Sequence, residues 1–461
     1  MRLLLVEIGP ASQRDVRLTT GLGYVASYLR RELPQIEVEI IKGDAAWVRH
    51  HARISRPDMV GLSTVSQYYP TALKAAAACK ELGAFVVLGG HHVSALPSSM
   101  TLNIDVGVIG EGEETMLDIA KTLLDVGPER QAFIEIPGVA TIVGDRVVRS
   151  GHRAMHRPLD DLPFPARDLM HIGPGESVGM ITSRGCPYRC VFCASSAFWK
   201  KVRFHSAEYV VAEAKEIVQR YRTRHIYLWD DLFVANVNRV EKIATLMQKE
   251  PVLNDVRFSS TCRANLVDEE LARLLASMNV SEVMLGLESM APRTLRYLKP
   301  HVTVADNRRA VRILHEHGIR VTGFFVIGSP EETPEEVEET LDFVRTAPLY
   351  RAEAYFLTPL PGTQVWDDAI ERGLIDPDDV PWQRLYIDNP DDPENGIHLS
   401  KTMSREELEG YWRAFQRIRR RKDAVNLLRR VPEHLQRLLN APIDELRLVR
   451  QRLRSHQRGH I

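Results

Sequence analysis

The chain has 461 residues, 44% of them hydrophobic and 26% charged, which supports two or three packed domains and excludes wholesale disorder. Sixty basic and 61 acidic residues leave a formal charge of −1, so no global field draws the chain to nucleic acid or anionic lipid. No apolar run approaches the ~20 residues that span a bilayer, and the short run after Met1 is broken by Glu7 with no small-residue cleavage site behind it; a cytoplasmic protein without a membrane span is expected.

Over residues 1–125, apolar strand signals at 3–8, 38–41, 59–63, 85–88 and 106–109 alternate with helical patterns such as 22–33 and 71–82. Turn residues Gly9, Gly43 and Gly89-Gly90 end several of the runs. This pattern predicts a doubly wound α/β domain whose ligand lies beyond the carboxyl ends of the strands. Residues 126–177 are interrupted by Pro128, Pro137, Pro158, Pro163, Pro165 and Pro174 and read as an extension and linker. A short hairpin is expected within 133–148, around Gly144-Asp145.

From 178 to 360 the alternation resumes with a longer period. Strands are expected at 180–183, 225–229, 257–261, 282–287, 320–327 and 353–357. Helices are expected at 207–221, 239–248, 268–277, 304–318 and 334–345, the last opened by the capping box Thr333-Pro334-Glu335-Glu336. Six βα units in series predict a partial (β/α)6 TIM-like barrel, with its chemistry at the C-terminal strand ends. Residues 361–461 read as a helical C-terminal extension. Positions 401–461 hold 16 Lys/Arg against 7 Asp/Glu, densest at 417–422; a solvated helix face beside an acidic body is the expected reading, and nucleic acid is not an expected partner.

Three of the five cysteines fall within eight residues, in Ser183-Arg184-Gly185-Cys186-Pro187-Tyr188-Arg189-Cys190-Val191-Phe192-Cys193. Soft thiolates so closely spaced on a loop bind an iron–sulfur cluster or zinc. Structural zinc takes four ligands, commonly in paired C-x-x-C arrays, and there is no second pair; a zinc site recruiting His205 and three unrelated thiols remain the competing readings. Three thiolates would leave one iron of a four-iron cluster without a protein ligand, and an open metal position is a site for chemistry.

The text C-x-x-x-C-x-aromatic-C, with Phe192 in the aromatic place, resembles the signature of the radical S-adenosylmethionine (SAM) enzymes. The resemblance implies a 4Fe-4S cluster on Cys186, Cys190 and Cys193, with SAM chelated at the open iron. It implies reductive cleavage of SAM to methionine and a 5′-deoxyadenosyl radical, which takes hydrogen from an unactivated C–H bond. By place in the fold it further implies SAM contacts beside Phe192: Asp230 and Asp231 after the second barrel strand, and Arg263 after the third. It adds Glu288 at the end of Leu285-Gly286-Leu287-Glu288-Ser289, and Gly328 after the fifth strand. Helix capping, a surface salt bridge and core packing are the bland readings of the same residues.

Joined to such a barrel, the N-terminal domain resembles the cobalamin-binding subgroup. Ser63-x-Val65 and Gly89-Gly90 occupy the places of that subgroup's Ser-x-Leu and Gly-Gly, which implies that Ser63, Gly89 and Gly90 contact cobalamin. The Asp-x-His-x-x-Gly that supplies a lower cobalt ligand elsewhere is absent: the loop reads Gly9-Pro10-Ala11-Ser12-Gln13-Arg14-Asp15. His91 and His92 are expected in second-layer or exposed roles instead. The best expectation is cobalamin-dependent C-methylation of a small molecule in natural-product or cofactor biosynthesis, with an electron donor such as flavodoxin or ferredoxin. The alternative is a cobalamin-independent radical dehydration, redox change or cyclisation of a substrate such as an aminoglycoside, the N-terminal domain only shaping the pocket. That route needs an acid or base, for which Tyr221, Tyr227 and His225 stand unranked. Tyr68 and Tyr69 would stack on a substrate ring or pack against the helix behind them. A tRNA-modifying relative would need further cysteines in an N-terminal domain that has only Cys79.

Overall fold

The computed structural model describes residues 1–10, 20–156, 158–385 and 396–440, with side chains as far as residue 427. The N-terminal elements are β1 (Arg2–Ile8), α1 (Thr20–Glu32), β2 (Glu37–Gly43), α2 (Ala45–Ser55), β3 (Met59–Ser63), α3 (Tyr69–Glu81), β4 (Phe85–Gly89), α4 (His91–Ala95), β5 (Val106–Val108) and α5 (Glu113–Asp125). The strands read as continuous apolar runs because both faces of the sheet are covered. Along β1, Leu3 and Leu5 pack under Tyr24 and Leu29 of α1 and Met116 of α5. Leu4 and Val6 point the other way, against Val48 of α2 and Ala72 and Ala76 of α3.

Strand order is β2-β1-β3-β4-β5, all parallel. The order reverses at β1, which opens a crevice over its carboxyl end. The sheet runs past residue 125. The expected hairpin is β6 (Val139–Val143) and β7 (Arg146–Arg149), and it joins the sheet edge antiparallel to β5. The turn pair announces a hairpin, but which edge it joins is a long-range choice that local sequence does not encode.

The stretch from 150 to 177 is pinned rather than loose. Arg167 is buried and donates to Glu213, itself buried, and to the carbonyl of Gly179 at 3.1 Å. Removing one partner of a buried ion pair strands the other charge, at about 3–5 kcal/mol. Arg167→Met is therefore expected to lower the unfolding free energy by that amount, as read from denaturant melts, and the double variant Arg167→Met/Glu213→Leu to recover most of it.

The second half is built from β8 (Val178–Met180), β9 (Ser183–Arg184), α6 (Ala194–Phe198), β10 (Arg203–Phe204), α7 (Ala207–Tyr221), β11 (His225–Leu228), α8 (Val237–Met247), β12 (Arg257–Cys262), α9 (Glu269–Ser277), β13 (Val280–Glu288), α10 (Pro292–Leu298), α11 (Val304–Glu316), β14 (Arg320–Ile327), α12 (Pro334–Thr346) and β15 (Arg351–Phe356). Six strands lie in the order β15-β14-β13-β12-β11-β8, each parallel to its neighbours. This is the open, six-stranded barrel the sequence predicts, with one local difference. The expected first strand stops at Met180, and Ser183-Arg184 turns away to pair with Arg203-Phe204. The Thr333 capping box is present at α12.

Beyond the sheet lie α13 (Gln364–Glu371) and α14 (Arg405–Asn440). Phe415 and Leu408 of α14 are buried in the barrel core. Arg419 pairs with Glu353 at 2.7 Å and Asp423 with Arg351 at 3.1 Å. Part of the 417–422 basic run thus docks the helix on β15. The remaining basic positions of 441–461 lie outside the described residues, as does the 9–15 loop from residue 11 onward.

Candidate functional site

The cysteine loop leaves β9 and is clamped at both ends by one carboxylate. Asp231 accepts from Gly185 N at 3.1 Å and from Ser195 Oγ at 2.6 Å, just before and just after the three cysteines. Its neighbour Asp230 is fully buried and faces the other way. It accepts from the backbone N–H and hydroxyl groups of both Thr182 and Ser183, with Arg239 3.8 Å away. The adjacent aspartates therefore share the task of bending the chain from β8 into the loop.

The three thiols are half-buried. Burial pushes Cys186 up to about 11 and raises Cys193 as well, so losing their protons is coupled to taking a metal. Three soft donors on one loop fit an iron–sulfur cluster. Among the described residues no three His, Cys, Asp or Glu side chains converge on a single ion. His205, the fourth ligand of the zinc reading, is fully buried, faces Asp160 at 3.2 Å and stacks on Tyr209. The lone cysteines are packed in the core, Cys79 pushed up to about 11 and Cys262 to about 12 by burial.

Arg263, Glu288 and the cluster loop are brought together by a segment that sequence reasoning missed. At the end of α10, Leu298 O accepts from Val191 N at 3.3 Å. Lys299 Nζ donates to Glu288 Oε1 at 3.1 Å and to Gly286 O. Pro300 O accepts from Arg263 Nη2 at 2.6 Å, while Arg263 Nη1 lies 3.5 Å from Cys190 Sγ, the guanidinium covering the Tyr188 ring at 3.9 Å. Glu288 sits at φ +59°, a conformation that non-glycine residues seldom adopt. Asn307 holds that kink by donating to Leu287 O at 2.8 Å. A Cβ on Gly286 would collide with Glu288 Oε1 and lie 2.7 Å from Lys299 Nζ.

Gly328, at φ +86°, donates at 2.7 Å to Glu332, a carboxyl that burial pushes up to about 7. Phe192 is half-buried against a cluster containing Leu298, Val365 and Trp366.

Two large cavities lie between the sheets. One, of about 1220 Å³, is lined by Ser63, Gly89 and Gly90 from the first sheet and by Tyr227, Trp229 and Asp231 from the mouth of the second. It exceeds the ~300–1,000 Å³ of ordinary ligand pockets. Its inner end reaches over the sheet to Leu5, Gly61 and Val87. A Cβ at Gly21 or Gly110 would meet nothing within 4 Å, so the rim is open to a bulky ligand. Gly90 differs: at φ +97° its Cβ would lie 2.7 Å from Thr64 O. Gly90→Ala is expected to lower thermal stability, through ~1–3 kcal/mol of backbone strain plus the clash. Gly89→Ala meets nothing nearer than 3.9 Å and is expected to melt as the parent does while retaining less corrinoid, as read by absorbance after gel filtration.

The second cavity, of about 1140 Å³, shares His91, Phe198 and Trp199 with the first. His91 packs against Phe198 at 4.6 Å and is exposed. His92 is a core residue between Ser66 and Ser99, each at 3.0 Å, and burial drives it down to about 3. Tyr69 stacks on His92 at 4.0 Å, while Tyr68 lines the first cavity. Of the unranked acid–base candidates, Tyr227 lines the first cavity. His225 faces Ser259 at 2.8 Å and Tyr221 packs in the barrel core.

The two domains are locked through Arg184 and Arg203. Arg184 donates to Glu111 and Glu113, and Arg203 to Glu111 at 2.7 Å. Burial alone would raise Glu111, but Arg203 and Arg184 hold it below its ordinary value. The sequence displays Gly110-Glu111-Gly112-Glu113 but not its partners.

Comparison with known proteins agrees with this geometry. The sequence profile of the Radical SAM superfamily matches residues 180–344, and that of the B12 binding domain matches residues 18–120. An uncharacterized methyltransferase of Pyrococcus horikoshii is 32% identical over 77% of this chain and 79% of its own. The cytidylyl-2-hydroxyethylphosphonate methyltransferase of Streptomyces wedmorensis is 24% identical over 79% of this chain and 80% of its own. In structure, the radical SAM methyltransferase TsrM of Kitasatospora setae, solved with cobalamin and a [4Fe-4S] cluster, superposes with a TM-score of 0.67 at 21% identity, over 80% of this chain and 78% of its own. The chain belongs to the radical SAM superfamily, in the group that carries an N-terminal B12-binding domain.

Proposed function

We propose that the protein is a cobalamin-dependent radical SAM methyltransferase that methylates a carbon of a small molecule. One observation carries this reading: a single cavity of about 1220 Å³ joins Ser63, Gly89 and Gly90 of the first sheet to Asp231 and Trp229 at the mouth of the second. A domain that merely walled a pocket would be expected to close its own core over such a volume, since unfilled space forfeits packing contacts. The methylating reading is therefore favoured over radical elimination.

Cys186, Cys190 and Cys193 would hold the cluster, Arg263 and Glu288 the carboxylate and ribose of SAM, and Ser63, Gly89 and Gly90 the cobalamin. The cluster would supply an electron to the sulfonium of SAM, and the cobalamin a transferable methyl group. The chain's own residues do the rest. Asp231 holds the cysteine loop closed. The Arg184–Glu111–Arg203 network fixes the distance between the two domains. Tyr227 and Trp229, stacked at 5.1 Å, line the mouth with aromatic surface.

The electron would come from a one-electron carrier of the flavodoxin or ferredoxin type. Among the described residues no helix is long and apolar enough to cross a membrane, and we place the enzyme in the cytoplasm. The test is anaerobic purification with cobalamin, followed by dithionite and SAM. Stoichiometric corrinoid absorbance together with released 5′-deoxyadenosine is expected; protein that retains no corrinoid would overturn methylation.

A further inference from the structure

The second cavity, of about 1140 Å³, lies beyond the His91–Phe198–Trp199 partition and contains none of Ser63, Gly89 or Gly90. It borders Ala194 and Ser195, the residues that directly follow Cys193, and reaches Tyr355 at the end of β15. It therefore touches the cluster loop, the barrel mouth and the N-terminal loops at once. We infer that this cavity takes the substrate, and that the substrate is a large, mostly apolar molecule bearing an anionic group such as a carboxylate or phosphate. This rests on the function proposed above and extends it to a substrate class.

Size and lining set the apolar part. The volume exceeds that of pockets for ordinary metabolites, ~300–1,000 Å³. Val65, Ile109, Met155, Phe198 and Leu360 form much of the wall, and apolar surface selects apolar ligands.

The charge follows from which ionisable groups are already committed. Glu111 is tied to Arg184 and Arg203, and Arg153 to Glu114 and Asp118. What remains, besides His91 and His152, is Lys200 and Lys201, both exposed. Lys200 Nζ lies 3.3 Å from His152 Nε2. Among the described residues neither lysine is found in an ion pair with a carboxylate. Among the described residues that line it, the cavity thus offers cations to an arriving ligand and no free carboxylate. A polycationic sugar such as an aminoglycoside would face like charge and little polar surface, so that substrate class is disfavoured.

The test is equilibrium binding to the full-length reconstituted protein, followed by fluorescence anisotropy, of 1-pyrenebutyrate against 1-pyrenebutanol. The pair shares an apolar body and differs in charge. The anion is expected to bind ~10-fold more tightly, the size of one charge-assisted contact. Lys200→Ala/Lys201→Ala is expected to erase that preference while leaving the alcohol's affinity in place, and Ala197→Trp, which fills the cavity, to weaken both probes. Equal affinities for the pair, a preference that survives the lysine replacements, or displacement of the probe by kanamycin would overturn the inference. Release of 5′-deoxyadenosine is measured on the same preparation. Its absence would sink the proposed function, whereas its presence without an anion preference would sink only the substrate class.

Discussion

Replacing any one of Cys186, Cys190 or Cys193 with alanine is expected to lower 5′-deoxyadenosine formation by at least ~100-fold, since even an outer partner of a metal ligand commonly costs 10–100-fold. Bound iron and sulfide, assayed after anaerobic reconstitution, should fall together with activity. The effect is large because this loop has no spare donor: His205 is turned to Asp160, and Cys79 and Cys262 are sealed in the cores of their respective domains. Cys79→Ala is the matching control and should keep its iron, losing only some stability from a small core cavity. Asp231→Asn should fall between these limits, because the amide keeps one acceptor oxygen for Gly185 N while its NH2 can only donate to Ser195 Oγ, and neither bond is charge-assisted. An alanine variant that kept stoichiometric cluster would contradict the assignment outright.

The backbone plan was legible in the sequence because it follows from short-range patterning. Ala207 to Tyr221 reads as a helix from its apolar spacing, and the structure has that helix, capped by Ser206 accepting from Tyr209 N. The cysteine triplet was legible because its spacing is itself the chemistry. Other features depend on residues far apart in the chain. Glu288 can be picked out as a strand-end acid, yet its partner Lys299 lies at the far end of α10, and only the fold brings the two to 3.1 Å. The 139–149 hairpin is announced by Gly144-Asp145, but its pairing with β5 is not. Adjacent aspartates look equivalent on paper. In the structure they split, because β11 ends there and the next residues point to opposite sides: Asp230 faces inward to Thr182 and Asp231 outward to the loop ends. Conversely, His91 and His92 are a matched pair in sequence, and only burial separates the core residue from the one that lines the cavities.

Lys299→Gln is expected to weaken SAM binding by ~10–100-fold while leaving methionine, which lacks the nucleoside, bound as before. The lysine touches no cysteine; it acts through Glu288, whose carboxylate it pairs inside the protein, both side chains under a tenth exposed. Taking away one member of such a pair leaves a buried charge uncompensated, with a penalty of about 3–5 kcal/mol. Without the lysine the carboxylate loses the partner that fixes its direction, and with it the aim at the ribose hydroxyls proposed above. The backbone adds to the effect: Glu288 at φ +59° is held by Lys299 on one side and Asn307 on the other, and strain of this kind persists only while its surroundings enforce it. Lys299→Arg restores the charge but not the fit over Gly286, and should recover the affinity in part. Isothermal titration of the reconstituted variants with SAM, S-adenosylhomocysteine and methionine separates positioning from collapse. Loss confined to the two nucleoside-bearing ligands supports a lysine that aims Glu288. An equal loss for methionine would mean that the end of α10, which also holds Val191 and Arg263, had come apart and taken the cluster loop with it.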